Sequence, residues 1–175
     1  KEILAADKVV LPGVGSFGDA MENLHHFGLV PVIHQVVQEQ TPFLGICLGL
    51  QLLFEKSEES PGVEGLGILK GEILRIPAAE GLKIPHMGWN NIRFPNKGRL
   101  FAGVPEDAYV YFVHSYYLKA QDEKIVTATT EYGTHIHASV ESGNLFACQF
   151  HPEKSSHVGL QILKNFAKLE GKGGR

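Results

Sequence analysis

Residues 43–51 read Phe-Leu-Gly-Ile-Cys-Leu-Gly-Leu-Gln. The apolar run at 42–46 reads as a buried strand, and 50–57 as the helix that follows it. Cys47 stands between them in a Gly-x-Cys-x-Gly frame, the thiol form of the nucleophile elbow. Such a turn strains its central residue and presses strand against helix. Gly45 and Gly49 leave room for that contact. The helix N-terminus beside the sulfur favours thiolate over thiol. A lone cysteine in an apolar strand is usually a small core residue; the flanking glycines favour the elbow.

Further on, residues 149–153 read Gln-Phe-His-Pro-Glu. His151 and Glu153 are two apart in a stretch that reads as extended, which puts both side chains on one face. Pro152 biases His151 toward the extended region. An elbow cysteine followed by a late histidine and carboxylate supplies a nucleophile, a base and an orienting group. That is the set of a Cys-His-Glu hydrolase.

Bulk properties set the frame. With 175 residues, 43% hydrophobic and 20% charged, the chain suits one globular domain with a sizeable core. We expect that domain to span 1–170, with 171–175 a frayed tail. The net charge of −3 comes without a basic stripe, which argues against nucleic acid as the main partner. No apolar stretch has the length of a membrane span, and no signal peptide is visible. Cys47 and Cys148 are the only cysteines. Cys148, in a strand-like run at 145–150, reads as a packed thiol, and the pair suggests a reducing cytoplasm without disulfides. His25-His26, His135-x-His137 and His157 invite a metal hypothesis. No cysteine pair or carboxylate stands beside them at ligand spacing, so His135 and His137 read as a solvated strand face, with no metal or cofactor expected.

Strand and helix signals alternate at first. Residues 8–11 form a short strand that runs into Pro12-Gly-Val-Gly15. Ser16 caps a helix carrying Met21 and Leu24, with Asp19 in a capping-box position. A second helix starts at Pro31 with Val32, Val36 and Val37 on its apolar face. Residues 57–67 read as a polar loop. The middle is β-rich, with strands at 69–76, 91–94, 108–118, 125–131 and 135–140, and a hairpin turn at 142–144. A last helix at 156–170 places Leu160, Leu163, Phe166 and Ala167 on one face. Residues 1–7 read as a connector into the first strand. A doubly wound domain usually opens with a buried strand and a helix, so an N-terminal βαβ portion is expected to be missing from this sequence.

Taken together, the elbow, His-Pro-Glu and Pro-Gly-Val-Gly resemble class I, triad-type glutamine amidotransferases. Leu11-Pro-Gly-Val-Gly-Ser-Phe-Gly18, Pro85-His-Met-Gly-Trp-Asn90 and Tyr111-Phe-Val-His-Ser-Tyr116 are most similar to the glutaminase subunits of imidazole glycerol phosphate synthases, in histidine biosynthesis. The resemblance implies a three-layer, flavodoxin-like α/β fold with a mixed, partly antiparallel section. It also implies hydrolysis of L-glutamine through a cysteinyl thioester, with ammonia passed to a cyclase subunit built as a (β/α)8 barrel in a heterodimer. Cys47, His151 and Glu153 are the implied triad. The Leu48 N–H is one oxyanion donor by elbow geometry. The resemblance draws the second from Pro12-Gly-Val-Gly15, at Val14 or Gly15. Gly13 and Gly15 flank Val14 and make a peptide reorientation there cheap; a plain glycine-rich turn is the alternative. Gln51, one helical turn after Cys47, is placed to contact bound glutamine. Ser115 and Tyr116 match the segment that holds the substrate's amino-acid end, although Tyr116 also suits a strand core. Trp89, the sole tryptophan, sits in what reads as a loop. With Lys154 it is assigned to the cyclase interface. Pro12-Gly-Val-Gly15 lacks the lysine of a P-loop, so acceptor chemistry must sit elsewhere. A glutaminase of the vitamin B6 or purine pathways and a non-catalytic scaffold with an idle triad are the competing readings.

Overall fold

The computed structural model describes residues 1–171. Of the tail expected at 171–175, residues 172–175 lie outside the described residues. Gly171 sits close to Asp7, where an added Cβ would come within 2.8 Å of the Asp7 Cβ.

The fold is built around a five-stranded sheet. Its strands are β1 (Val9–Leu11), β2 (Phe43–Ile46), β8 (Val126–Glu131), β9 (His135–Ser142) and β10 (Leu145–Cys148), in the order β1-β2-β10-β9-β8. β1, β2 and β10 run parallel, and β9 and β8 add antiparallel strands at one side. β2 and β10 are buried along their whole length, as strands covered on both faces should be. Phe43, Leu145 and Ala147 join one core; Leu44, Ile46, Phe146 and Cys148 join the other. α2 (Phe17–His26), α3 (Leu29–Gln38) and α4 (Leu48–Leu52) supply the first core, and α5 (Ser156–Ala167) supplies the second. This is the mixed three-layer α/β arrangement expected from the sequence. A three-stranded sheet, β3 (Lys56–Ser57), β4 (Gly71–Arg75) and β7 (Tyr116–Ala120), and a two-stranded ribbon, β5 (His86–Asn91) and β6 (Tyr109–His114), flank it.

Several boundaries differ from expectation, each for a local reason. Residues 1–7 contain a helix, α1 (Glu2–Ala5), that packs on α3. α3 starts at Leu29 because Gly28 takes φ +65° at its N-cap; Pro31 falls within the first turn, where its missing N–H is harmless. Ile33 and Val36 form its buried face, with Val32 and Val37 only half-buried. The helix expected at 50–57 lasts five residues. The carbonyls that would extend it are taken instead by amides from the following segment: Leu66 N–H donates to Leu52 at 2.8 Å and Ile68 N–H to Leu53 at 3.0 Å. Lys56 and Ser57 then pair with β4. The Met-Gly-Trp-Asn segment is strand β5 rather than a loop; of the strand expected at 91–94, Asn91 closes β5 and Arg93 forms an isolated bridge. The long strand at 108–118 breaks at Ser115, where the chain leaves its pairing with β5 and takes up pairing with β4. In α5 the buried face is Gly159, Ile162 and Phe166; Leu160 and Ala167 are exposed. His135 and His137 do not share a solvated face. His135 pairs with Glu131, whereas His137 is buried with Nδ1 accepting from the Ala120 N–H at 3.0 Å. The described residues contain no cluster of ligand side chains suited to a metal ion. None of their helices is long and apolar enough to cross a membrane.

Candidate active site

Cys47 occupies the turn between β2 and α4 with φ 54° and ψ −107°. A non-glycine residue in this region is strained, and such strain persists only when the surroundings over-determine it. Here they do. Cys47 N–H donates to the Cys148 carbonyl at 2.8 Å, and its own carbonyl accepts from Leu50 at 3.1 Å. A Cβ on Gly45 would stand 2.8 Å from the Gly49 carbonyl oxygen, so strand and helix meet through glycine backbone.

The sulfur is set in polar contacts. Sγ lies 3.8 Å from the Val113 carbonyl and accepts from Gln149 Nε2 at 3.6 Å. Burial pushes the thiol pKa up to about 11, against the lowering effect of the Leu48 N–H and Gln149. The thiolate expected from the helix N-terminus is therefore not the resting form. A five-residue helix carries a small dipole, and desolvation outweighs it.

His151 is buried in an extended conformation, with its N–H donating to the Tyr111 carbonyl at 2.9 Å. Its Nδ1 lies 2.5 Å from Glu153 Oε1. The expected pairing is present, but strand alternation does not produce it. Pro152–Lys154 form a 3₁₀ turn that folds Glu153 back onto the ring. Ser155 Oγ donates to the His151 carbonyl at 2.7 Å and accepts from the Tyr111 N–H at 2.9 Å. α5 presses on the turn at Gly159, where a Cβ would meet the Pro152 carbonyl at 1.8 Å. With Nδ1 engaged, Nε2 is the ring nitrogen left for the cavity.

That cavity, about 360 Å³, is lined by Cys47 and His151 together with Val14, Gly15, Leu48, Gln51, Ser115 and Tyr116. Its volume is in the usual range for small-molecule sites, roughly 300–1,000 Å³. Gly15 has φ +100°, a conformation that favours glycine, and the Val14 side chain is 87% exposed. Gln51 is buried, and its Nε2 donates to the Tyr116 carbonyl at 3.1 Å and to Gln149 Oε1 at 3.0 Å.

The family model for class-I glutamine amidotransferases matches residues 2–169. The chain belongs to the class I glutamine amidotransferase family. Among relatives of this amidotransferase, imidazole glycerol phosphate synthase subunit HisH of Moorella thermoacetica is 57% identical over 168 residues, covering 96% of this chain and 79% of that protein. The subunit of the same name from Methanocaldococcus jannaschii is 48% identical over 169 residues, covering 97% and 84%. Among solved structures, PurLQS from Thermotoga maritima superposes with a TM-score of 0.67 at 22% identity, over 92% of this chain and 78% of that one. The glutaminase domain of Trypanosoma brucei CTPS with bound acivicin gives 0.66 at 19% identity, over 97% and 74%. At these identities the two structures show the fold alone.

Among the residues of this amidotransferase site that sequence reasoning missed are Glu59, Arg75, His114 and Gln149. Glu59 and Arg75 line it, and Arg75 Nη1 reaches the Tyr116 hydroxyl at 3.4 Å. Both arrive from segments far from the elbow, and only pairing of β3, β4 and β7 brings them in. Gln149, whose Nε2 donates to the sulfur, had a local signal: it stands two residues before His151, immediately after β10. His114, immediately before Ser115, also lines the cavity. Trp89 and Lys154 stand outside it. Trp89 is 52% exposed and edge-on to Tyr111 at 6.1 Å, and Lys154 Nζ lies 6.0 Å from the centroid of the same ring.

Proposed function

We propose that this chain is the glutaminase subunit of an imidazole glycerol phosphate synthase and works in the cytoplasm. The observation that carries the proposal is the strained Cys47 facing the same cavity as a histidine whose Nδ1 is held by Glu153. Glutamine enters with its side-chain amide toward Cys47. His151 takes the thiol proton as sulfur attacks the carbonyl carbon, then returns it to nitrogen as the C–N bond breaks and ammonia leaves. Water cleaves the thioester, releasing glutamate and restoring the thiol. Because burial favours the thiol, sulfur needs His151 to take its proton for the attack. Glu153 holds the tautomer and steadies the imidazolium. The Leu48 N–H, already against the sulfur, and an N–H from Val14 or Gly15 receive the oxyanion. Gln51 acts by tying the Tyr116 carbonyl to Gln149. Ser115 and Tyr116 form the wall that holds the amino-acid end. Glu59 and Arg75 carry the opposite charges that suit a zwitterion.

Ammonia passes to a cyclase subunit with a (β/α)8 barrel. The outer face of the β5–β6 ribbon supports this docking: Met87, Trp89 and Tyr109 are exposed there, with Lys154 over Tyr111. Exposed aromatic side chains at the centre of a face are frequent energetic anchors. The Tyr111 backbone also holds His151 and Ser155, so pressure on this face reaches the triad directly. The test is glutamine hydrolysis with and without the cyclase subunit. Ammonia release that depends on Cys47 and rises with cyclase supports the assignment, and a chain inert in both states rejects it.

A further inference from the structure

A directed chain of hydrogen bonds joins Asn90, His86, His114 and Tyr116, and its fixed ends reveal its direction. The Asn91 N–H donates to Asn90 Oδ1 at 2.9 Å, and Asn90 Nδ2 donates to the Glu131 carbonyl at 3.0 Å. Those two backbone partners fix the amide. Nδ2 is therefore also the donor toward His86 Nε2, 3.3 Å away. With Nε2 accepting, His86 carries its proton on Nδ1, which lies 3.0 Å from His114 Nε2. His114 then carries its proton on Nδ1, 2.8 Å from the Tyr116 carbonyl. Both rings are neutral in this arrangement. The His86 ring lies between Tyr132 and Phe112, nearly parallel to both, with centroids 3.9 and 4.7 Å away.

The two ends of the chain have different surroundings. The Tyr116 carbonyl also accepts from Gln51, so its two lone pairs are both engaged, and it follows the break at Ser115 that lines the cavity. At the other end, β5 turns His86 and Asn90 inward and Met87 and Trp89 outward. Two apolar rings could fill this space without the desolvation cost of buried imidazoles. What imidazoles add is a fixed donor direction.

We propose that His86 and His114 are positioning residues for the substrate pocket: their relay fixes the Ser115–Tyr116 wall and ties it to the strand whose outer face carries Trp89. This inference rests on the glutaminase reading above. A wall that holds the unreacting end of a substrate contributes equally to ground and transition states, so its loss appears in KM. A merely structural loss lowers the active fraction and appears in kcat.

Two measurements test it. Nitrogen NMR of the histidine side chains at pH 7 should show both His86 and His114 as Nδ1–H tautomers; an Nε2–H form of either one overturns the relay, whatever the activity. Kinetics of glutamine hydrolysis in the complex with cyclase then compare His86→Phe, which keeps the stack without a donor, and His86→Asn, which returns an N–H near the Nδ1 position. His86→Phe should raise KM about tenfold, the effect of one hydrogen bond, with kcat within about threefold of the parent. His86→Asn should bring KM back to within about threefold. A parental KM in folded His86→Phe, or no recovery in His86→Asn, overturns the proposal. If His86→Phe does not fold, Asn90→Ala at the half-buried head of the chain replaces it, and an unchanged KM there overturns it equally. A parent complex that releases no ammonia rejects the glutaminase reading, and the tautomers still decide the relay.

Discussion

Gly49 lies so close to Leu11 that an ideal Cβ on the glycine would stand 1.9 Å from the Leu11 carbonyl oxygen. The elbow helix is thus pressed onto the end of β1. That contact sets Pro12-Gly-Val-Gly15 beside the sulfur, with Leu48 side-chain atoms 3.4 Å from the Cβ position of Gly13. One glycine therefore fixes the distance between the nucleophile and the segment proposed to donate to the oxyanion.

Gly49→Ala should be severely destabilising. The obstructing atom is backbone, so relief requires moving β1 or α4, and core overpacking commonly costs about 1–3 kcal/mol or more. Urea unfolding checks this. A variant as stable as the parent would show that strand and helix separate easily.

The Cys47 thiol should react slowly with alkylating agents at neutral pH, because burial holds its pKa near 11. Gln149→Leu removes a side-chain N–H that stabilises the thiolate. Iodoacetamide labelling of the variant should slow further, and its pH profile should move to higher pH. Faster labelling would mean that Gln149 serves to close off the sulfur instead. Fully buried Cys148 contributes little background.

Acid should weaken the fold before most carboxylates titrate. Burial lowers the pKa of both His86 and His114 to about 4 from an ordinary 6.5. Above pH 6.5 both are neutral in folded and unfolded chains, and stability is full. As pH falls toward 4, the unfolded chain takes up protons that the folded chain refuses, so stability drains away. Each histidine should cost roughly 2 kcal/mol between pH 7 and pH 5, at about 1.4 kcal/mol per pH unit inside the window. Urea unfolding at the two pH values measures this, and the double variant His86→Asn, His114→Asn should flatten the dependence. Equal stability at both pH values in the parent would contradict it.

The legible parts of the molecule were those whose chemistry is local. The elbow glycines, the apolar run of β2, the Ser16 cap, whose Oγ accepts from Asp19 N–H at 3.2 Å, and the 142–144 hairpin each advertise themselves within a few residues. Features set by distant partners were not legible. α4 stops early because residues 66–69 take its carbonyls. β5 looked like a loop because Pro85 and Gly88 mask an alternation that only pairing with β6 stabilises. The buried face of α5 departs from its apolar pattern because Gly159, rather than Leu160, meets the Pro152 carbonyl. Within the site, His-x-Glu is legible as a pair but its geometry is not, since a 3₁₀ turn rather than a strand joins the two residues.

Trp89→Ala and Lys154→Ala should weaken cyclase binding while leaving the fold intact, because both side chains are partly exposed around Tyr111. Trp89→Ala should cost about 2 kcal/mol or more, in the range of interface hot spots. Lys154→Ala should cost less, as rim charges do, and should reduce glutamine-dependent synthesis more than binding. Calorimetric titration against cyclase separates the two. Parental binding and coupling in both folded variants would place the interface elsewhere.

The isolated chain should hydrolyse glutamine slowly and accelerate when cyclase and its acceptor substrate bind. The conformable glycines beside Val14 supply the element such a partner can shift. A thousandfold rise needs about 4 kcal/mol of preference for the active state. Full activity that ignores the partner would remove this regulation from the account.

The most direct measurement is steady-state ammonia release from glutamine by the complete complex, for the parent, Cys47→Ala, His151→Ala and Glu153→Gln. The account predicts that Cys47→Ala and His151→Ala lose roughly 10⁴-fold or more in kcat, and that Glu153→Gln, in a group that orients rather than reacts, loses distinctly less. Near-parental turnover in folded Cys47→Ala would contradict the assignment of Cys47 as the nucleophile.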